Sequence, residues 1–217
     1  DRTRDEVVRR EFRQFESSWY DGDKIKLSRD RVDRLGYFTE VDVDTQEIPG
    51  SPDQVDLVVN VKEKPTGAVT LGAGFSSAEK VSLSFGIKQE NAFGSGNYLG
   101  LDVNTSKYNR TLVVSTTDPY FTQDGISRTV DAYYLTSRPH SGDIYVGDDL
   151  VKSEDLYKIV SKGASVRFGV PFSEIDTVYF GVGVEQTKID QGVYMPIQYR
   201  EYADKNTTGI PLTLGWG

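Results

Sequence analysis

The residue types best suited to covalent chemistry lie together at His140-Ser141-Gly142-Asp143. A base, a hydroxyl nucleophile and an orienting carboxylate are the parts of an acyl-transfer triad, but the base must stand in line between the other two. Residues adjacent along one loop do not form that line, so the run reads as a solvated loop. Glu90, Asp102, Asp131 and Glu185 are acids able to work in pairs as general acid and base, yet salt-bridged strand walls explain them equally well. Gly94-Ser95-Gly96-Asn97-Tyr98-Leu99 opens like a dinucleotide-binding loop but has Leu99 where the third glycine belongs and no helix after it, so it reads as a turn. Three Asn-X-Ser/Thr sequons, at Asn104, Asn109 and Asn206, match a pattern common by chance. With no cysteine and one histidine, disulfide frameworks, thiolate metal sites and imidazole clusters are excluded. The expectation is a protein that is not an enzyme, with no cofactor and no metal.

Charge and hydropathy narrow the classes further. A net charge of -8 over 217 residues argues against nucleic acid as a partner, because neutralising phosphates takes clustered Lys and Arg in excess. No run approaches the eighteen or so apolar residues of a transmembrane helix, which leaves a membrane-spanning β-barrel open. The chain opens at Asp1-Arg2-Thr3-Arg4 without a charged-then-apolar leader and ends inside the alternation Leu212-Thr213-Leu214-Gly215-Trp216-Gly217. It reads as an internal piece of a longer polypeptide.

The elements that must position any site change character at Lys64-Pro65-Thr66-Gly67. Two domains are expected, 1–65 and 66–217. In the first, Thr3 and Glu6 have capping-box spacing, and Val8, Phe12, Phe15 and Trp19 form a stripe, which predicts a helix running to the break at Tyr20-Asp21-Gly22-Asp23. A second helix is expected from about Lys24, capped by Asp23, with Ile25, Ser28, Val32 and Leu35 inward and Gly36 just beyond its end. Two strands follow, one through Tyr37, Thr39, Val41 and Val43 and one through Val55, Leu57, Val59 and Val61, joined by the loop Pro49-Gly50-Ser51-Pro52-Asp53. Helices on one face of a small sheet make an α+β unit, whose free sheet edge is either solvated or open to an extended peptide.

From 66 onward apolar residues recur every second position, as in Val81, Leu83, Phe85 and Ile87 against Ser82, Ser84, Gly86 and Lys88. The pattern predicts eight antiparallel strands near 66–76, 79–89, 97–107, 110–118, 127–138, 161–170, 177–188 and 208–217. Strands of nine to eleven residues suit a tilted crossing of a bilayer. Compact aromatic turns at 91–96, 118–125 and 171–174 alternate with longer polar loops near 139–160 and 189–207, the rim asymmetry of an outer-membrane barrel. Phe93, Tyr98, Tyr120, Phe121 and Phe172 then fall at headgroup level. The second face carries Gly72, Gly74, Gly86, Asp102, Asn104, Arg167, Gly181 and Glu185, suited to a wet lumen. A soluble sandwich with the greasy face inward has the same alternation.

Several runs, taken in order, resemble one family: Arg9-Arg10-Glu11-Phe12-Arg13-Gln14-Phe15-Glu16, Arg34-Leu35-Gly36-Tyr37-Phe38, Pro49-Gly50-Ser51-Pro52-Asp53-Gln54-Val55-Asp56, Val61-Lys62-Glu63-Lys64, and Asp118-Pro119-Tyr120-Phe121 with Asp124-Gly125. Across essentially the whole chain they are similar to the BamA family of outer-membrane barrel-assembly insertases of Gram-negative bacteria. The resemblance implies that 1–65 is the last POTRA domain (βααββ, its first strand largely missing), lying in the periplasm. It implies that 66–217 is the first half, about 8 of 16 strands, of a transmembrane barrel in the outer membrane. The implied work is folding and insertion of unfolded outer-membrane protein clients at a lateral gate, here the strand with Gly67, Val69, Leu71, Gly72, Gly74 and Phe75. Implied partners are BamD-like and other accessory lipoproteins, with Glu16 at the contact, and outer-membrane lipid. A two-partner-type secretion pore shares the POTRA-barrel order and is the alternative.

Overall fold

The computed structural model describes residues 3–77, 80–138, 144–146, 148–151, 157–191 and 206–217. The chain divides into two compact units, Asp1–Gly67 with Gln89–Asn97, and Ala68–Lys88 with Tyr98–Gly217.

In the first unit α1 (Asp5–Arg9) and α2 (Gly22–Arg34) precede a hairpin of β1 (Phe38–Ile48) and β2 (Ser51–Glu63). The first helix is far shorter than its apolar stripe predicts, and Arg4, with no side-chain cap bond, precedes it. Thr3 is engaged elsewhere: its N–H donates to the Glu63 carboxylate and its hydroxyl accepts from Asn91 Nδ2 at 2.8 Å. The physical reason for the early stop lies in α2. Ser28 Oγ, on a wholly buried residue, accepts from the N–H groups of Arg13 and Gln14 at 2.7 and 3.3 Å and donates to the Lys24 carbonyl at 2.7 Å. Gln14 then binds the Trp19 carbonyl, the Ser18 hydroxyl and the Asp21 N–H. These bonds supply partners that a longer helix would otherwise provide, so residues 10–21 form a bound loop and Phe15 and Trp19 face outward.

The second helix begins two residues earlier than expected, because Asp21, not Asp23, accepts from the first free N–H groups, those of Asp23 and Lys24. Gly36 beyond its end has φ +76°, the left-handed conformation glycine takes without a steric cost. Phe38 rather than Thr39 is buried, since a register shift between Phe38 and Glu40 rotates the strand start inward. The loop between β1 and β2 is only Pro49-Gly50, with Ile48 opposite Ser51. The core is Val7, Val32, Tyr37, Phe38 and Val41, with Val8, Phe12, Leu35 and Val61 packed on it.

The second unit is an antiparallel sheet of consecutive neighbours: β3 (Gly67–Ser76), β4 (Lys80–Gln89), β5 (Tyr98–Thr105), β6 (Asn109–Asp118), β7 (Ser127–Ser137), β10 (Tyr157–Pro171) and β11 (Thr177–Gln191). The last position is shared by β12 (Asn206–Gly209) and β13 (Leu212–Trp216), which both pair with β11 on either side of Ile210-Pro211. A proline has no N–H for the ladder, so the strand breaks there. A small hairpin, β8 (Ile144–Val146) and β9 (Asp149–Val151), stands within the long segment between β7 and β10.

Candidate functional site

Two features of the second unit define what its surface can do: the end strand β3 and an inverted distribution of polarity. β3 is the end strand of the sheet, with β4 on one side and no further strand on the other among the described residues. Its side chains Val69, Leu71 and Phe75 are 66, 76 and 77% exposed. On its second face Gly72 and Gly74 lie against Ser84 and Ser82 of β4. Gly67, Val69, Leu71, Gly72, Gly74 and Phe75 all lie on this one end strand.

The polarity inversion runs through the whole sheet. Cross-strand neighbours Val114 and Ala132, Val130 and Val166, Val166 and Val182, and Phe180 and Leu214 make one continuous apolar face. That face is exposed, with Val81, Leu83, Val114, Val182, Val184 and Leu214 between 47 and 83% accessible. The buried positions are on the polar face instead: Thr129, Ser161 and Gly86. A soluble sandwich buries its apolar face, so that alternative does not describe this sheet, whereas a barrel wall between lipid and a polar interior does.

The polar face is built on close tyrosine–glycine contacts. The Tyr133 ring lies across Gly163, where an added Cβ would come within 2.7 Å of the ring, and its hydroxyl stands beside Glu185. Asp102 and Glu185 share one register row through Val113, Tyr133 and Gly163 but stand four strands apart, about 19 Å along the sheet. Paired-carboxylate hydrolysis needs roughly 5–9.5 Å. Asp131 lies opposite Ser115 and Ser165, and Glu90 belongs to the first unit. His140-Ser141-Gly142-Asp143 lies outside the described residues. Among the described residues no three His, Cys, Asp or Glu side chains are grouped to hold a metal ion.

The rim aromatics separate into groups. Phe121 packs on Phe168 at 5.9 Å and Phe168 on Phe180 at 5.6 Å, with the Arg128 guanidinium 4.5 Å from the Phe121 ring centre. Phe172 is 60% exposed on its turn and Tyr120 touches Gly125. Tyr98 departs from expectation: it lies over Gly100 on the polar face, because the apolar positions of β5 are the odd ones, Leu99, Leu101 and Val103. Phe168, Phe180 and Trp216 are the rim aromatics the sequence reading missed; counting alternation outward from Val166, Val182 and Leu214 finds them.

In the first unit Glu16 is exposed and pairs with Arg9, which also binds Asp5. Beside it Phe15, Trp19 and Tyr20 are exposed. The turn 89–97 is tied down within the same unit. Arg4 N–H donates to the Gly94 carbonyl at 2.9 Å, Tyr37 Oη to the Gly96 carbonyl at 3.3 Å and Arg10 to the Ser95 carbonyl at 3.4 Å. Gly96 has φ +77° and faces the Arg10 guanidinium and Val7, so no side chain fits there. Phe93 projects from this turn, 76% exposed.

Comparison with known proteins finds relatives for both parts of the chain. Residues 1–64 match the model "Surface antigen variable number repeat" (POTRA) and residues 91–216 match the Omp85 superfamily domain. The chain is 37% identical to the outer membrane protein assembly factor BamA of Neisseria meningitidis, over 100% of this chain and 28% of that protein. It is 32% identical to that of Nitratidesulfovibrio vulgaris, over 87% of this chain and 22% of that protein. The chain thus spans about a quarter of the length of these relatives. Among solved structures, BamA from Haemophilus ducreyi lacking POTRA domains 1–3 aligns with a TM-score of 0.71 at 28% identity, covering 100% of this chain and 42% of that one. CdiB from Acinetobacter baumannii shares the fold, with a TM-score of 0.64 at 13% identity, covering 100% and 40%.

Proposed function

Because the chain belongs to the Omp85 superfamily and carries the POTRA-then-strands order of BamA proteins, we propose that it serves to fold and insert β-barrel proteins into the bacterial outer membrane. The observation that carries this reading is the exposed apolar face of the sheet that follows the POTRA unit, with β3 as its end strand. Free backbone N–H and C=O groups in a lipid surrounding cost several kcal/mol each, so an incoming client strand gains by pairing with them. Gly72 and Gly74 contribute no packing side chains, which keeps any resting closure of the edge weak. The step is templating by hydrogen bonds and needs no covalent chemistry.

On this reading the POTRA unit lies in the periplasm. Glu16, exposed next to Phe15 and Trp19, is the contact for a BamD-like lipoprotein. Phe93, Tyr120, Phe121 and Phe172 mark the headgroup level, and Tyr98 drops out of that set. The test is a disulfide engineered between β3 and the closing strand of the full-length protein. Client insertion should stop under oxidation and return on reduction; insertion at the normal rate with the bond formed would sink the templating step. A secretion pore, which shares the domain order, would instead leave outer-membrane protein levels unchanged on depletion and retain one soluble cargo.

A further inference from the structure

At the end of the sheet away from turns 118–126 and 171–177, the apolar face changes chemistry without changing register. Arg110 continues the face of Leu112 and Val114 on β6, and Lys162 and Lys158 continue that of Val166 and Ala164 on β10. Lys188 continues that of Val182 and Val184 on β11, and Arg138 follows Thr136 just beyond β7. Arg110, Thr136, Val160 and Lys188 form one cross-strand row, with Lys162 one step below it and Lys158 one step above. The cations therefore occupy a band about 13 Å high directly past the apolar belt.

Among the described residues this band is under-neutralised. Asp190 answers Lys158 at 3.7 Å and Lys188 at 3.2 Å. Among the described residues no carboxylate pairs with Arg110, Arg138 or Lys162. The excess of positive charge stands out on a chain of net charge -8. At the opposite rim the one cation on this face, among the described residues of the strands, is Arg128, engaged by the Phe121 ring. Lys107, Arg110, Arg138 and Lys158 also line a single groove of about 330 Å³ with Leu112 and Tyr134, which gives it a cationic and an apolar half.

We propose that this groove and band hold phosphate-bearing lipid headgroups of the leaflet around the rim opposite the short turns. Cations immediately above an apolar belt meet the phosphates at their own depth, while Leu112 and Tyr134 meet the first methylenes; a free anion would leave the apolar half unused. The proposal rests on the membrane reading above but not on strand templating.

The experiment places the full-length protein in nanodiscs of phosphatidylcholine doped with phosphatidylglycerol and reads annular lipid by native mass spectrometry. Wild type should retain phosphatidylglycerol selectively, and R110Q/R138Q/K162Q should lose roughly fivefold of that preference per cation removed. Lys88→Gln, on the polar face, should keep it, and R110K/R138K should keep it too, which separates charge from misfolding. Equal retention by wild type and the triple variant overturns the proposal, as does displacement of the lipid by inorganic phosphate, which would assign the groove to a free anion. A full-length protein that enters no bilayer fails the membrane reading itself, whereas entry without selectivity defeats only the headgroup site.

Discussion

Tyr37 links the core of the first unit to its turn, and its chemistry makes that link sensitive to pH. Burial first, then the negative charge of Glu90 and Glu11 against the opposing Arg10, raises its hydroxyl above the ordinary tyrosine value. The neutral hydroxyl donates to Gly96, so the folded form holds the proton more tightly than the unfolded chain. The stabilisation is complete below pH ~10, where the unfolded tyrosine titrates, and is lost as pH rises from there through the raised folded value. Tyr37→Phe should cost about 1 kcal/mol at neutral pH through the missing hydrogen bond and should abolish this part of the alkaline loss. Thermal melts of the full-length protein from pH 8 upward, wild type against Y37F, check both; parallel alkaline slopes would count against it.

At the scale of elements, the strands were legible because period-two alternation survives any tertiary context that keeps one face apolar. The eight expected strand positions are occupied, the last in two pieces, and β10 and β11 run longer because Lys158 and Asp190 continue the register as charged residues, which a hydrophobic template stops at. The first helix was misread for the opposite reason. Its stripe of Val8, Phe12, Phe15 and Trp19 is sound local evidence, but Ser28, a side chain of the next helix, and Gln14, bonding ahead to Trp19, take the backbone groups from the helix. A one-dimensional pattern does not contain that competition. A gate role for β3 was likewise invisible from spacing; the family resemblance supplied it as an expectation. Ser28→Ala should therefore leave two buried N–H groups short of a partner and cost about 1–3 kcal/mol, with faster amide exchange confined to residues 10–21. Unchanged exchange there would mean that Gln14 alone holds the loop.

For the whole molecule the question is which face of the sheet meets lipid, and the burial pattern answers with a measurable asymmetry. Val182 sits mid-strand between Val166 and Leu212, half exposed, with Gly181 and Gly183 beside it on the polar face. An arginine there would have to stay in hydrocarbon or bend toward an interface, at a cost of about 2–4 kcal/mol near the bilayer midplane. Ser165 lies on the opposite face, across from Asp131 and Gly183. A cation there meets a carboxylate and water, so Ser165→Lys should be tolerated within about 1 kcal/mol despite adding more bulk than Val182→Arg. Reversible folding of the full-length protein into lipid vesicles measures both. If S165K proved the costlier change, the polar face would be the one in contact with lipid, and the wall would have to be turned inside out.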